Sequence, residues 1–287
     1  MIYKRGGWKR LCHEAGKLQE YTSTNEREII RGISSKWLSS SSNSYFQFIL
    51  NLAKKNFDVS ISEFNEQEQQ MLLMLHYDIW QTAGGFDSLE QSIKKIGENK
   101  TLVEEIIEVL ELLIDQIDFK EIEITLPYPQ PLKVHARYTR DQILAAFGLS
   151  TFQRKSPSRE GVAENSELNT ELLFINLIKS EENFSPTTMY DGYAINETLF
   201  HWQSQNSAGP DTPKGISYIQ HENDKKKILL FVREKNKDEY GNTMGYVFVG
   251  EGLLKDHYGA KPMSIKWELN EPLPHYLWKD AAKLRVG

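Results

Sequence analysis

The chain has 287 residues, 39% of them hydrophobic and 26% charged, with a net charge of −6. That is too apolar for a disordered chain, and long enough for one large domain or two ordinary ones. A single cysteine, Cys12, excludes an internal disulfide framework and a cysteine-based zinc site, and no stretch approaches the roughly 18–20 apolar residues that a membrane span needs.

The start, Met1 to Arg10, carries charge with no apolar run behind it, unlike a secretory signal, so a reduced, cytoplasmic setting is expected. The polar cluster Thr22–Asn25 offers N-caps, and Ile29, Ile30, Ile33 and Trp37 then recur at helical spacing. The serine run Ser39–Ser42 reads as a loop. Tyr45, Phe46, Phe48, Ile49 and Leu52 predict a second helix. Met71, Leu72, Leu75, Ile79 and Trp80 predict a third, stopped by Gly84-Gly85. Leu102, Ile106, Val109, Leu110, Leu113 and Ile117 form the cleanest amphipathic stripe, backed by Glu104, Glu105, Glu108 and Glu111 as a solvated face. Residues 1–126 are therefore expected to form a helical bundle or linking domain. They hold 14 Lys/Arg and 20 Asp/Glu, so they carry the whole net charge.

Three prolines in Pro127–Pro131 cannot continue a helix and mark a boundary. Leu132–Tyr138 alternates as a strand. Thr139 is then a plausible N-cap for a short helix over Ile143, Leu144 and Phe147, with Gly148 as its stop. Further strands are predicted at Leu172–Ile178, Ile216–His221, Ile228–Glu234, Tyr246–Gly250 and Met263–Leu269. Asn223-Asp224 and Asp238–Asn242 supply turn chemistry. The expected architecture is α+β: a helical N-terminal bundle, then a mainly antiparallel, barrel-like or strongly curved sheet domain over 132–287 with a few helices.

The motifs of several familiar enzymes are missing. The chain has no phosphate-binding Gly-x-x-x-x-Gly-Lys-Ser/Thr loop, no Gly-x-Ser-x-Gly elbow, no His-Glu-x-x-His and no His-x-Lys pair. Its seven histidines show no ligand spacing, so no metal, cofactor or catalytic residue is expected. Asp211 and Asp224-Lys225-Lys226 imitate the letters of a metal-dependent nuclease. However, the second group falls at a predicted turn, where a rigid strand is needed. From Lys133 to Arg159, six basic residues face one acid. Such a patch attracts phosphate, or is a run of solvated surface charge. The stretch Phe184–Tyr190, Tyr193–Asn196 and Leu199–Asn206 concentrates hydroxyls, amides and rings that can bond or stack on bases. Phe200 and Trp202 also fit a strand alternating into a core.

Tyr138-Thr-Arg140, Arg159-Glu-Gly-Val162, Glu171–Phe174 with Lys179-Ser180, Phe184–Tyr190, Leu199–Asn206, Leu230–Glu234, and His257–Ile265 with Trp267–Leu269 occur in order. Together they resemble a domain of unknown function at the C-terminal end of bacterial DEAD/DEAH-type helicases. Those proteins often carry a phospholipase-D-like nuclease module and look like restriction or phage-defence enzymes. The resemblance implies that any helicase or nuclease activity resides in other modules, in the same chain or a partner chain. The expected role is non-catalytic DNA recognition, with no membrane association. Arg137, Tyr138, Arg140 and Arg159 would contact phosphate, and His201, Trp202, Gln203 and Gln205 would read or stack on a base. A protein-interaction or regulatory module is the alternative, and a nuclease a weaker one.

Overall fold

The computed structural model describes residues 2–177 and 192–278. The expected segment Phe184–Tyr190, the pair Lys179-Ser180 and the end of the strand predicted to reach Ile178 lie outside the described residues. The chain divides into two compact units, Met1–Pro157 and Ser158–Gly287.

The first unit is helical. Its elements are α1 (Trp8–Glu14), α2 (Glu26–Ser35), α3 (Asn43–Lys54), α4 (Glu66–Ile79), α5 (Leu89–Lys94), α6 (Lys100–Asp115) and α7 (Arg140–Ala146), with a two-residue strand β1 (Arg137–Tyr138) before α7. Side-chain caps set most of the starts. Ser42 opens α3, Ser88 opens α5 and Asn99 opens α6. Asn65 with Glu68 and Thr139 with Gln142 form capping boxes on α4 and α7. The predicted stripe on α6 is buried at Leu102, Ile106, Val109 and Leu110, while Leu112 beside it is 57% exposed.

A buried carboxylate joins four segments of this unit. Asp78 on α4 accepts hydrogen bonds from Trp37 Nε1 (2.9 Å), Tyr45 Oη (2.8 Å) and Gln142 Nε2 (2.9 Å). Burial pushes its pKa up to about 6, against those hydrogen bonds and the attraction of Lys36. The Gln142 amide is shared, because its oxygen also accepts from Thr139 N at 2.8 Å. The α7 cap and the α4 carboxylate are thus one network, which fixes where Arg140 begins its helix.

The strand predicted over Leu132–Tyr138 is not continuous. Val134 bridges Ile122, Arg137 bridges Ser41, and His135 between them has φ 76°, which no strand accommodates. Alternation alone does not reveal such a kink.

The second unit contains β2 (Val162–Asn165), β3 (Thr170–Asn176), β4 (Gly192–Ala194), β5 (Leu199–Gln203), α8 (Pro213–Ile219), β6 (Lys227–Arg233), β7 (Tyr246–Tyr258) and β8 (Ser264–Leu269). The strands run in the spatial order β2-β3-β6-β7-β8-β5-β4. Every pair is antiparallel except β3–β6, which is parallel. β7 has 13 residues and serves both halves. Its Val247–Glu251 pair with β6 and its Gly252–Tyr258 with β8. Bulges occur between Leu230 and Phe231 and between Leu254 and Asp256, and bulges bend and twist a sheet.

The sheet is therefore curved, mixed and open, which corrects the barrel-like expectation. Closure would require β2 to pair with β4. The described residues show no such pairing, and both edges are short, at four and three residues. The segment Ile216–His221, predicted as a strand, lies mostly in α8. Thr212 caps that helix by accepting from Gly215 N, and Pro213 stands in its first turn. The inner face of the sheet carries one apolar cluster that includes Leu173, Phe200, Trp202, Leu230, Ile265 and Trp267, with Tyr218 of α8 packed into it.

Candidate nucleic-acid interface

Strand parity decides what β5 presents to each side. Phe200 and Trp202 point into the apolar cluster, and the Trp202 ring meets Tyr218 at 5.4 Å and Trp267 at 6.4 Å. Leu199, His201 and Gln203 take the opposite face. Across the neighbouring strands, His201 lies opposite Tyr193 of β4 and Lys266 of β8. Lys266 in turn lies opposite Asp256 of β7, and Ser264 opposite both Gln203 and Tyr258. Four strands thus place Tyr193, His201, Lys266 and Asp256 in one row on the outer face, with Tyr258 beside it.

The rings in this row touch. Tyr193 stacks on His201 with centroids 4.6 Å apart and planes 26° apart. His201 and Tyr258 are 6.3 Å apart and 32° tilted, with the Tyr258 hydroxyl 3.4 Å from Nε2. His201 is buried, at 3% exposure, whereas Tyr258 remains 51% exposed. Lys266 Nζ lies 5.6 Å from the Tyr258 ring centre, within cation–π range. Its charge is balanced by Asp256 at 2.8 Å, a contact that holds the ammonium above and the carboxyl below their ordinary pKa ranges. Lys255 is likewise matched by Glu268 at 3.1 Å. The face is aromatic and nearly charge-neutral, with rings whose π-faces can extend a stack.

The other expected contact residues are distributed over both units. Gln205 Nε2 donates to Glu160 at 3.2 Å, so the loop bearing the exposed Arg159 is tied to the end of β5. Arg137, Tyr138 and Arg140 belong to the first unit. Tyr138 is fully buried, and its hydroxyl meets Ser42 at 3.0 Å and accepts from Lys133 N at 2.9 Å. Within the basic stretch, Lys133 pairs with Glu123 at 2.7 Å and Lys155 with Asp141 at 3.1 Å. Glu123, from outside the stretch, offsets Lys133, whereas Asp141 is the stretch's own acid and is shared with Lys36 at 2.6 Å.

The nuclease-like letters are dispersed. Asp211 and Asp224 are exposed, while Lys226 turns inward. Its Nζ lies 2.7 Å from Glu164 and 2.9 Å from Glu171, and Lys214 bridges the same two acids at 2.8 Å each. Glu171 is fully buried and also accepts from the Tyr218 hydroxyl at 2.6 Å. Burial works against the Lys226 cation, but the two glutamates outweigh it and hold its pKa above the usual value. This balanced cluster fastens α8 and the following turn to β2 and β3. Among the described residues, no group of three or more His, Cys, Asp or Glu is arranged to hold a metal ion.

Sequence reasoning missed Tyr193, Tyr258 and Lys266 as partners of His201. Tyr258 lies in a motif that carries the family resemblance and Tyr193 in the ring-rich stretch, but only strand register brings them together with Lys266.

A model of the family described as "Domain of unknown function (DUF3427)" matches residues 132–281. The chain belongs to this family. The match takes in every strand of the second unit, together with α7 and β1 of the first. All four strands of the ring-bearing face thus lie within the DUF3427 match. No curated protein matches the chain. Among solved structures, it is similar to the 5-hydroxymethylcytosine-specific restriction enzyme AbaSI at 17% identity and a TM-score of 0.29, over 66% of this chain and 57% of that one. It is also similar to Arabidopsis thaliana SUVH6 at 10% identity and a TM-score of 0.33, over 88% of this chain and 41% of that one. The chain spans less than two thirds of either protein, and likenesses this loose carry no weight for fold or site. Among the described residues, no helix is long and apolar enough to cross a membrane.

Proposed function

We propose that this DUF3427 protein is a non-catalytic DNA-recognition module that works with the restriction- or defence-type helicases whose C-terminal domain its sequence resembles. The helicase and nuclease modules would lie in the same chain or a partner chain, in the cytoplasm. The observation that carries this reading is the contiguous Tyr193–His201–Tyr258 row on an outer sheet face. Tyr258 keeps half of its surface exposed beside the Tyr193–His201 pair, and an exposed ring on a sheet face is a platform on which a base stacks.

In this reading His201 anchors the row, and Gln203 and Gln205 present amides beside it to base edges. Trp202 supports the strand from beneath. Arg159 reaches phosphate from the loop that Glu160 ties to Gln205. Arg137 and Arg140 are phosphate contacts of the first unit, on a segment fixed by the buried Tyr138.

The test is fluorescence anisotropy of labelled DNA with the full chain at several salt concentrations between 50 and 200 mM. Affinity is expected to fall as salt rises, because phosphate contacts release counterions. Arg159→Ala should reduce the logarithmic salt slope by about one. Absence of binding, or binding indifferent to salt, would overturn the proposal.

A further inference from the structure

The geometry points to the class of DNA that this face takes: we infer that it binds an unpaired base, stacked on Tyr258, in preference to intact duplex. The inference rests on the DNA-recognition reading above and narrows it. The ring row has two ends. At the Tyr193 end the ring lies almost flat on His201, at 4.6 Å and 26°. At the Tyr258 end, His201 and the Lys266 ammonium both approach the ring, yet half of the residue remains exposed. Tyr258 thus meets the edge of His201 through its hydroxyl, 3.4 Å from Nε2, has Lys266 over its ring and keeps half of its surface exposed. A planar base can stack on the exposed part of that ring, beside the Tyr193–His201 pair.

Charge argues for bases over backbone on this face. Lys266 and Lys255 are matched by Asp256 and Glu268, so the row itself does not form a phosphate track. In a paired duplex the π-faces of bases are covered by their neighbours, and only base edges and phosphates are offered. A neutral aromatic face is therefore poorly matched to duplex and well matched to a base that has left the stack, whether in a single strand or extruded from a helix. A cation for the adjoining phosphate is close in sequence. Lys261 is exposed on the turn that follows Tyr258, three residues beyond the platform. Gly259, at φ 80°, lets the chain turn there immediately after the ring.

The experiment uses the full chain and three oligonucleotides containing 2-aminopurine: a single strand, the matched duplex, and a duplex with the 2-aminopurine in a single-base bulge. Stacking on an aromatic ring quenches 2-aminopurine, so binding and stacking are read together. The single strand and the bulge should bind at least about tenfold more tightly than the matched duplex and should show quenching on binding. Tyr258→Ala should abolish the quenching and lower single-strand affinity by about tenfold, the usual scale for one lost base–aromatic contact. Tyr258→Phe should keep both. Tyr258 is half exposed, so these variants leave the core intact, and an unchanged unfolding curve checks that directly. Equal or tighter binding to matched duplex, or wild-type quenching in Tyr258→Ala, would overturn this inference while leaving DNA recognition standing. Failure to bind any of the three would overturn both.

Discussion

A single histidine in the second unit makes its stability sensitive to acid. His221 is buried, its Nε2 accepts from Leu254 N at 3.2 Å, and its Nδ1 therefore carries the proton and donates to Lys226 O at 3.2 Å. Burial holds its pKa below the ordinary 6.5, against the weaker pull of the Lys226 carbonyl and nearby glutamates. With the folded pKa depressed, the unfolded chain takes up the proton first. This contribution to stability is thus complete above about pH 6.5 and is lost as pH falls through the folded value. His76 in the first unit is shifted the same way, again by burial. Urea unfolding at pH 5, 6 and 7.5 should show stability falling toward pH 5, and His221→Gln should remove part of that slope. An identical slope in the variant would contradict the assignment. At this scale the sequence told only part of the story about β5. Alternation of Phe200 and Trp202 against His201 and Gln203 was legible. Which parity faces the core was not, because tryptophan serves equally as a packing and a stacking residue.

Among the elements, α8 was the hardest to read. Ile216, Tyr218 and Ile219 suit a strand by composition, and Ile216 is in fact 40% exposed while Tyr218 is buried. The usable signal was Thr212-Pro213, an N-cap followed by a proline that helices accept in their first turn. The packing of α8 also depends on a residue without a side chain. A Cβ at Gly215 would lie 1.8 Å from the Gly209 carbonyl oxygen, and neither side of that contact is a flexible side chain. Gly215→Ala should therefore cost stability by about 1–3 kcal/mol, the usual range for overpacking. It should also loosen Lys214 and Tyr218 from Glu171. A melting temperature equal to that of the wild type would show that the helix shifts freely. The short strands β2 and β4 were not singled out for a related reason. Segments of three to five residues carry too few alternations to define a period, and their pairing partners are remote in sequence. Conversely, α3, α4 and α6 were legible because each repeats its apolar stripe over three or more turns and opens on a capping residue.

For the whole molecule, the helical first part and strand-rich second part were apparent from periodicity, whereas sheet closure was not. Whether a run of strands closes is set by register and edge pairing, and those depend on contacts between distant segments. Here β7 bends through two bulged pairings and joins the β2-β3-β6 half to the β8-β5-β4 half, leaving both short edges unpaired with each other. The same curvature gives the sheet an outer face on which β4, β5, β8 and β7 align Tyr193, His201, Lys266 and Tyr258. Membership of a family of unknown function assigns no ligand to that face, so the proposed role rests on its chemistry. The most direct measurement is photocrosslinking of the full chain to DNA carrying 5-iodouracil, followed by mass spectrometry of the crosslinked peptides. The ring-platform account predicts crosslinks on Tyr258 or Tyr193, lost in the Tyr193→Ala/Tyr258→Ala double variant. Crosslinks confined to residues outside that face, or persisting at full yield in the double variant, would contradict it.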